Sequence, residues 1–250
     1  MSHFLVGVIC DKFDDIDRIL APYDENLEVE KHIDRTKAEI IKKARDTKAK
    51  ISKKAEEDEE YRNNISEWSQ SYLNAETDEE LYALETYDDC EHDEEGNELT
   101  TYNPNSKWDW YCIGGRWSSD EDIVKVSDFN MYKPLDDETI AFYQKCWDYI
   151  NGKIEIEDPI KELGFEFAFY EKEYLLEEYK TFDELVKAKS CQLPYALVDE
   201  NGWYAKGGMG WFGIDDADSE SINSYYDIAE KLLTASENQD KYIVFVDCHI

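Results

Sequence analysis

His-Phe-Leu-Val-Gly-Val-Ile-Cys at residues 3 to 10 and Tyr-Ile-Val-Phe-Val-Asp-Cys-His-Ile at residues 242 to 250 decide how this chain closes. Each is a short, nearly continuous apolar run with β-branched side chains, the composition of a strand covered on both faces. Such strands need neighbours, so both are predicted inside one sheet, and a single domain closed on itself follows for residues 1 to 250. Side chains alternate across a strand, so His3 shares a face with Leu5 and Ile9, and His249 shares one with Asp247 and Phe245. If the two strands lie antiparallel and adjacent, His3, Asp247 and His249 converge. Two imidazoles and a carboxylate are a candidate divalent-metal set, or an acid–base pair with an orienting acid. Parallel strands would keep the histidines at opposite ends and remove both readings. Two ordinary strand-end histidines are the plain alternative.

Inward from these ends the signals are mixed. Thr36 with Glu39 makes a capping box, and good helix formers carry the helix to at least Tyr61. Its apolar stripe is thin: Ile33, Ile40, Ala44, Ile51 and Ala55. Charge divides sharply here, with nine basic and two acidic residues over 35 to 55 and one basic against eighteen acidic over 56 to 98. Residues 35 to 98 are therefore expected to be a charged helical insertion. Its halves either neutralise each other as a solvated hairpin, or form an arm that docks on a partner or on a second copy as a homo-oligomer. Thr77 with Glu80 caps a further short helix through Tyr87. Residues 136 to 150 and 221 to 235 have helical periodicity, Thr181 with Glu184 caps another helix, and Phe165, Phe167 and Phe169 alternate as in a strand. Asn201-Gly202 between Ala-Leu-Val and Trp-Tyr-Ala is a strong hairpin signal. Separate hairpins and helices point to α+β, with a mixed or antiparallel sheet holding both terminal strands.

Asn103 to Trp117, Asn-Pro-Asn-Ser-Lys-Trp-Asp-Trp-Tyr-Cys-Ile-Gly-Gly-Arg-Trp, packs three of the chain's seven tryptophans and a glycine pair into one block. In an extended backbone Trp108 and Trp110 fall on one face, and Asp109 and Tyr111 on the other. Gly114-Gly115 would turn the chain, and Arg116 beyond it is a fork suited to carboxylate or phosphate. The block is either a site or core, with Asp109 paired to Arg116 or Lys107. As a site it comprises Lys107, Trp108, Asp109, Trp110, Tyr111, Gly114, Gly115, Arg116 and Trp117, joined by Met209 and Trp211 of a second Trp–Gly segment at residues 207 to 213. Asp215, Asp216, Asp218 and Glu220 follow and suit a helix start better than a calcium loop. No phosphate loop, nucleophile elbow or zinc-protease motif is present.

The opening Met-Ser-His-Phe, Ala21 to Asn26, the Asn103 to Trp117 block, Met209 to Gly213 and Val246 to His249 together resemble a family of mostly uncharacterised proteins of tailed bacteriophages and prophages. The resemblance runs from end to end. It implies a protein made inside a bacterium and leaves the chemistry open. Cys112 varies in that family, which argues against a catalytic cysteine.

Sixty acidic against 27 basic residues give a formal charge of -33, so most of the surface would repel a nucleic-acid backbone and direct nucleic-acid binding is not expected. With 42% hydrophobic and 14% aromatic residues the chain is too rich to be disordered. Six scattered cysteines without a C-x-x-C pair read as free thiols of a reducing cell; no signal peptide or apolar window of membrane-spanning length is seen, so a cytoplasmic location without membrane partners is expected. These features favour binding over catalysis: an acidic accessory protein that engages a host protein with a basic surface, as an inhibitor of a defence or nucleic-acid-handling protein. The rival is a small enzyme or ligand-sequestering protein that holds an anionic small molecule through the Trp/Gly/Arg block, with Arg116 on the anionic group and His3, Asp109, Asp247 or His249 as acid–base groups or metal ligands. A cleft joining the terminal strands to that block would favour the rival.

Overall fold

The structure, a computed structural model, describes residues 2 to 87, 89 to 118, 122 to 210 and 214 to 250. In chain order, strand β1 (His3–Cys10) and helix α1 (Ile16–Leu20) precede strand β2 (His32–Arg35) and helices α2 (Lys37–Glu57), α3 (Glu59–Asn63), α4 (Glu67–Asn74) and α5 (Asp78–Glu85). Short strands β3 (Glu91–His92), β4 (Glu98–Thr100), β5 (Trp110–Ile113) and β6 (Ile123–Lys125) come next. Helices α6 (Asp137–Ile150), α7 (Pro159–Phe169), α8 (Lys172–Glu178) and α9 (Phe182–Ser190) lead to β7 (Ala196–Asp199), β8 (Gly202–Ala205), α10 (Ser219–Thr234) and β9 (Tyr242–His249). The fold is α+β. No helix among the described residues is long and apolar enough to cross a membrane.

Two compact units are present: residues up to Asp24 together with Asn105–Ile250, and Glu25–Pro104. The first is built on a six-stranded mixed sheet in the order β5–β9–β1–β7–β8, with β6 also paired to β9. β1 and β9 run antiparallel over their whole length, from His3 opposite His249 to Cys10 opposite Tyr242. β1 pairs parallel with β7, and the Asn201-Gly202 turn joins β7 to β8 as the hairpin signal predicts. The apolar runs of β1 and β9 follow from cover on both faces. On one face Phe4, Val6, Val8, Val244 and Val246 pack with Ile16, Ile19, Leu20 and Trp108; on the other Ile9, Leu197 and Ile243 meet Tyr225, Ala229 and Leu233 of α10. All six cysteines are free thiols, and burial pushes Cys10 and Cys146 up to about 11.

A third cluster, Cys146, Ile150, Leu163, Phe167, Leu175, Tyr179 and Leu185, holds α6 to α9 together. Here one expectation fails. Phe165, Phe167 and Phe169 belong to helix α7, which starts with Asp158 as cap and Pro159 in its first turn. Gly164, at φ +81°, interrupts this helix. Its side chains four apart share a face, so Phe165 and Phe169 lie together outside while only Phe167 enters the core.

In the Glu25–Pro104 unit, β2, β4 and β3 form a small antiparallel sheet. α2 starts at the Thr36–Glu39 capping box and stops at Asp58, short of Tyr61, because Asp58 leaves helical geometry (φ −121°, ψ 109°) to cap α3. Ala44 and Ile51 cluster with Tyr72, Ala75 and Leu81, and Ile40 is buried as well, whereas Ile33 lies exposed on β2. The basic and acidic halves meet in ion pairs: Lys37–Glu79, Lys43–Glu85 and Arg45–Asp78.

Candidate functional site

The antiparallel register of β1 and β9 brings the two terminal-strand histidines face to face. Their ring centroids are 4.9 Å apart at 76°. His3 Nδ1 donates to Asp247 Oδ1 at 2.8 Å. On the other edge of β9, β5 pairs in register, Trp110 opposite His249 and Cys112 opposite Asp247. The Trp110 indole therefore stacks on the His249 ring (5.0 Å, 17°) and meets His3 edge-on (5.3 Å, 80°). Asp109 occupies the bend before β5; its N–H donates to the His249 carbonyl at 3.0 Å and its Oδ1 accepts from His249 Nδ1 at 2.6 Å. Each imidazole thus has its own carboxylate. A carboxylate accepts, so Nδ1 carries a proton in each ring and Nε2 is the nitrogen left for proton exchange.

The glycine pair fixes Asp247 in place. Gly114 and Gly115 lie at φ +65° and +54°, and a Cβ on Gly115 would fall 2.3 Å from the Asp247 Cβ. That close approach lets the Arg116 N–H donate to Asp247 Oδ2 at 3.0 Å. With its side chain buried, Asp247 has both oxygens engaged, one by an imidazole and one by main chain.

The aromatic block divides between core and surface. Trp108 is buried, donates from Nε1 to the Leu20 carbonyl at 3.2 Å and packs edge-on against Tyr111, whereas Trp110 is 43% exposed. The expectation that both indoles share a face fails because β5 begins only at Trp110; Trp108 makes an isolated bridge with Asp24. Asp109 binds His249, replacing the expected pairing with Arg116 or Lys107. The Lys107 N–H donates to the Tyr23 carbonyl. Tyr111 gives its hydroxyl to Asp17, and burial together with that acceptor pushes its titration up. Arg116 and Trp117 are exposed, and among the described residues the Arg116 guanidinium makes no ion pair. Met209 packs against the core cluster that contains Trp108, and the Gly210 carbonyl accepts from Ser2 Oγ at 2.8 Å. Trp211 lies outside the described residues.

For His3, Asp247 and His249 the divalent-metal reading fares worse than the acid–base one. Among the described residues no group of three or more His, Cys, Asp or Glu is arranged to hold a metal ion. The hydrogen bonds instead sort the set into two imidazole–carboxylate pairs. Asp109 is a site residue in the sequence reading as well; what the β5–β9 register adds is its partner, His249, 140 positions away.

A hollow of about 530 Å³ opens on the same unit, lined by Leu5, Trp117, Asp122, Phe129, Lys133 and Phe245 among others. Leu5 is the register partner of Asp247, but neither imidazole and neither of their carboxylates is among the lining residues. The two imidazoles are in edge-to-face contact, so as a base and an acid they would act side by side on one bound group. The chain matches no protein-family model, no curated protein and no solved structure.

Proposed function

We propose that the His3–His249 centre is an acid–base site acting on a small anionic ester that carries a planar ring, the chemistry of a nucleotide, within a phage-type accessory protein of the bacterial cytoplasm. The observation that carries this reading is the pair of imidazoles 4.9 Å apart, each with Nδ1 held by a separate carboxylate. One neutral Nε2 takes a proton from an attacking water as its oxygen bonds to phosphorus, while the other imidazole, protonated, gives one to the ester oxygen whose bond to phosphorus breaks. Asp247 and Asp109 hold the rings and stabilise the imidazolium form of either. The exposed Arg116 guanidinium suits the anionic group, and the exposed faces of Trp110 and Trp117 suit a ring. A panel of nucleotides and model phosphodiesters, assayed with and without chelator, tests this. Turnover should persist in chelator, follow a bell-shaped pH profile, and fall about 10²- to 10⁴-fold in His3→Gln and His249→Gln. Binding without turnover, weakened by Arg116→Ala, would make the protein a ligand sink; turnover untouched by either histidine change would end the reading.

A second reading rests on charge. The formal charge of -33 supports an acidic protein that blocks a basic host protein of defence or nucleic-acid handling. In that case the Trp110–Trp117 block is an interface, and Trp110→Ala and Arg116→Ala weaken capture of a purified host target without any catalytic readout.

A further inference from the structure

Helices α7 and α8 carry more aromatic surface than their core absorbs. Phe167 is buried with Leu163, Leu175 and Leu185, but Phe165 and Phe169 are 61% and 65% exposed, and Tyr170 and Tyr174 are 47% and 53% exposed. These four rings touch in series. Phe165 stacks on Phe169 (4.5 Å, 18°), Phe169 meets Tyr170 edge-on (5.6 Å, 83°), and Tyr170 stacks on Tyr174 (5.3 Å, 29°). The result is one continuous ladder of open ring surface. Scattered exposed aromatics need no explanation, whereas a contiguous exposed apolar patch marks an interaction site.

The charge around the ladder says what would cover it. Residues 162 to 178 contain six glutamates and one base, Lys172, whose ammonium is seated over the Tyr149 ring at 3.8 Å; Glu162 and Glu166 are already paired with Lys145 and Lys189, and the remaining acids are Glu171, Glu173, Glu177 and Glu178. Glu178 first, then burial, and also the charge of Asp215, push the Tyr174 hydroxyl up, so the negative field reaches the ladder's far end. Aromatic faces attract cations, and acids beside them add ion pairs. We propose that this ladder is the docking surface for a basic amphipathic segment of another protein, one that sets Lys or Arg among apolar side chains. The rings would take the apolar stems and cationic heads, and the glutamates the remaining charge. Ladder-to-ladder pairing of two copies would bring the same six glutamates together, and an anionic membrane surface its own negative charge, so both are opposed by like-charge repulsion. This inference is independent of the acid–base reading.

The test uses the full chain and two synthetic helical peptides of equal apolar content, one with lysines and one with glutamates at the polar positions, in a fluorescence-anisotropy titration. Any acidic protein attracts a basic peptide, so the deciding comparison is between proteins of equal charge. The lysine peptide should bind the native chain at least 10-fold more tightly than Phe165→Ser/Phe169→Ser, with Tyr174→Ser giving a smaller loss from the other end of the ladder, and the glutamate peptide should not bind. Melting curves verify that the variants fold, as expected for exposed positions. His3→Gln and His249→Gln should bind the peptide like the native chain, which separates failure here from failure of the acid–base site. Equal affinity in native and Phe165→Ser/Phe169→Ser protein would overturn the proposal. So would ladder-dependent dimerisation in sedimentation, or ladder-dependent binding to phosphatidylcholine vesicles, in the absence of ladder-dependent peptide binding.

Discussion

Glu98 in one unit and Asp247 in the other are both buried carboxylates, and their partners set them apart. Glu98 accepts two hydrogen bonds from Arg35, at 2.6 and 2.7 Å, and further bonds from the Thr86 hydroxyl and the Tyr87 N–H. Asp247 accepts from the His3 ring and from the Arg116 main-chain N–H. A guanidinium stays charged at any working pH, so Glu98 is a clasp, whereas an imidazole can take up and pass on a proton, so Asp247 can support proton movement. The lesson is that burial alone does not mark a functional acid. The titratability of its partner does.

The sharpest way to break that contrast is Glu98→Ala, which leaves Arg35 half-buried without its carboxylate and should cost about 3–5 kcal/mol. Hydrogen exchange should localise the loss to residues 25 to 104. The same clasp responds to acid. Burial pushes Glu98 up, but the bonds from Arg35, Tyr87 and Thr86 outweigh it and leave the group below its ordinary 4.5. A lowered folded value means the stabilisation is complete above the ordinary carboxylate range and is lost as pH falls through the folded value. Native Glu25–Pro104 amides should therefore lose protection in acid, and those of Glu98→Gln should show a weaker pH dependence.

Next in size is Gly115→Ala. Its Cβ would collide with Asp247 at a φ of +54°, a combination of strain and overpacking worth about 2–4 kcal/mol. Thermal melting would report the loss, and any turnover should disappear with it. Asp247→Asn separates stability from chemistry, because the amide keeps the shape but reverses one hydrogen-bonding atom. A modest stability cost of about 1–3 kcal/mol should accompany a turnover loss larger than that change accounts for. If activity and stability fall in proportion, Asp247 is merely another clasp.

The smallest effect is expected at Arg45, whose 2.6 Å ion pair with Asp78 is largely exposed. Arg45→Ala should cost about 0–1 kcal/mol, and that difference should shrink in high salt.

Much of this arrangement was legible in residue order. The parity of His3 and His249 anticipated their meeting, Asn201-Gly202 marked the hairpin, and the Thr36–Glu39 and Thr77–Glu80 boxes marked helix starts that the structure contains. The failures are physical. Phe165, Phe167 and Phe169 imitate strand alternation because two of the three serve the surface of a helix instead of its core. Trp108 and Trp110 share parity but not a face, because the strand begins between them. Asp109 was legible as a site residue and acid–base candidate, yet its link to His249 depends on a register between segments 140 residues apart, which no local pattern encodes.

The pairing of β1 with β9 has a kinetic consequence. His3 and Asp247 are 244 residues apart, so their hydrogen bond requires closure of a loop spanning nearly the whole chain. Contacts of such separation form late and slowly, after local helices and hairpins. The paired imidazoles are then an attribute of the finished sheet: a nascent or partly unfolded chain that already has its helices would have no oriented base, and recovery of the site on refolding would time the last topological step.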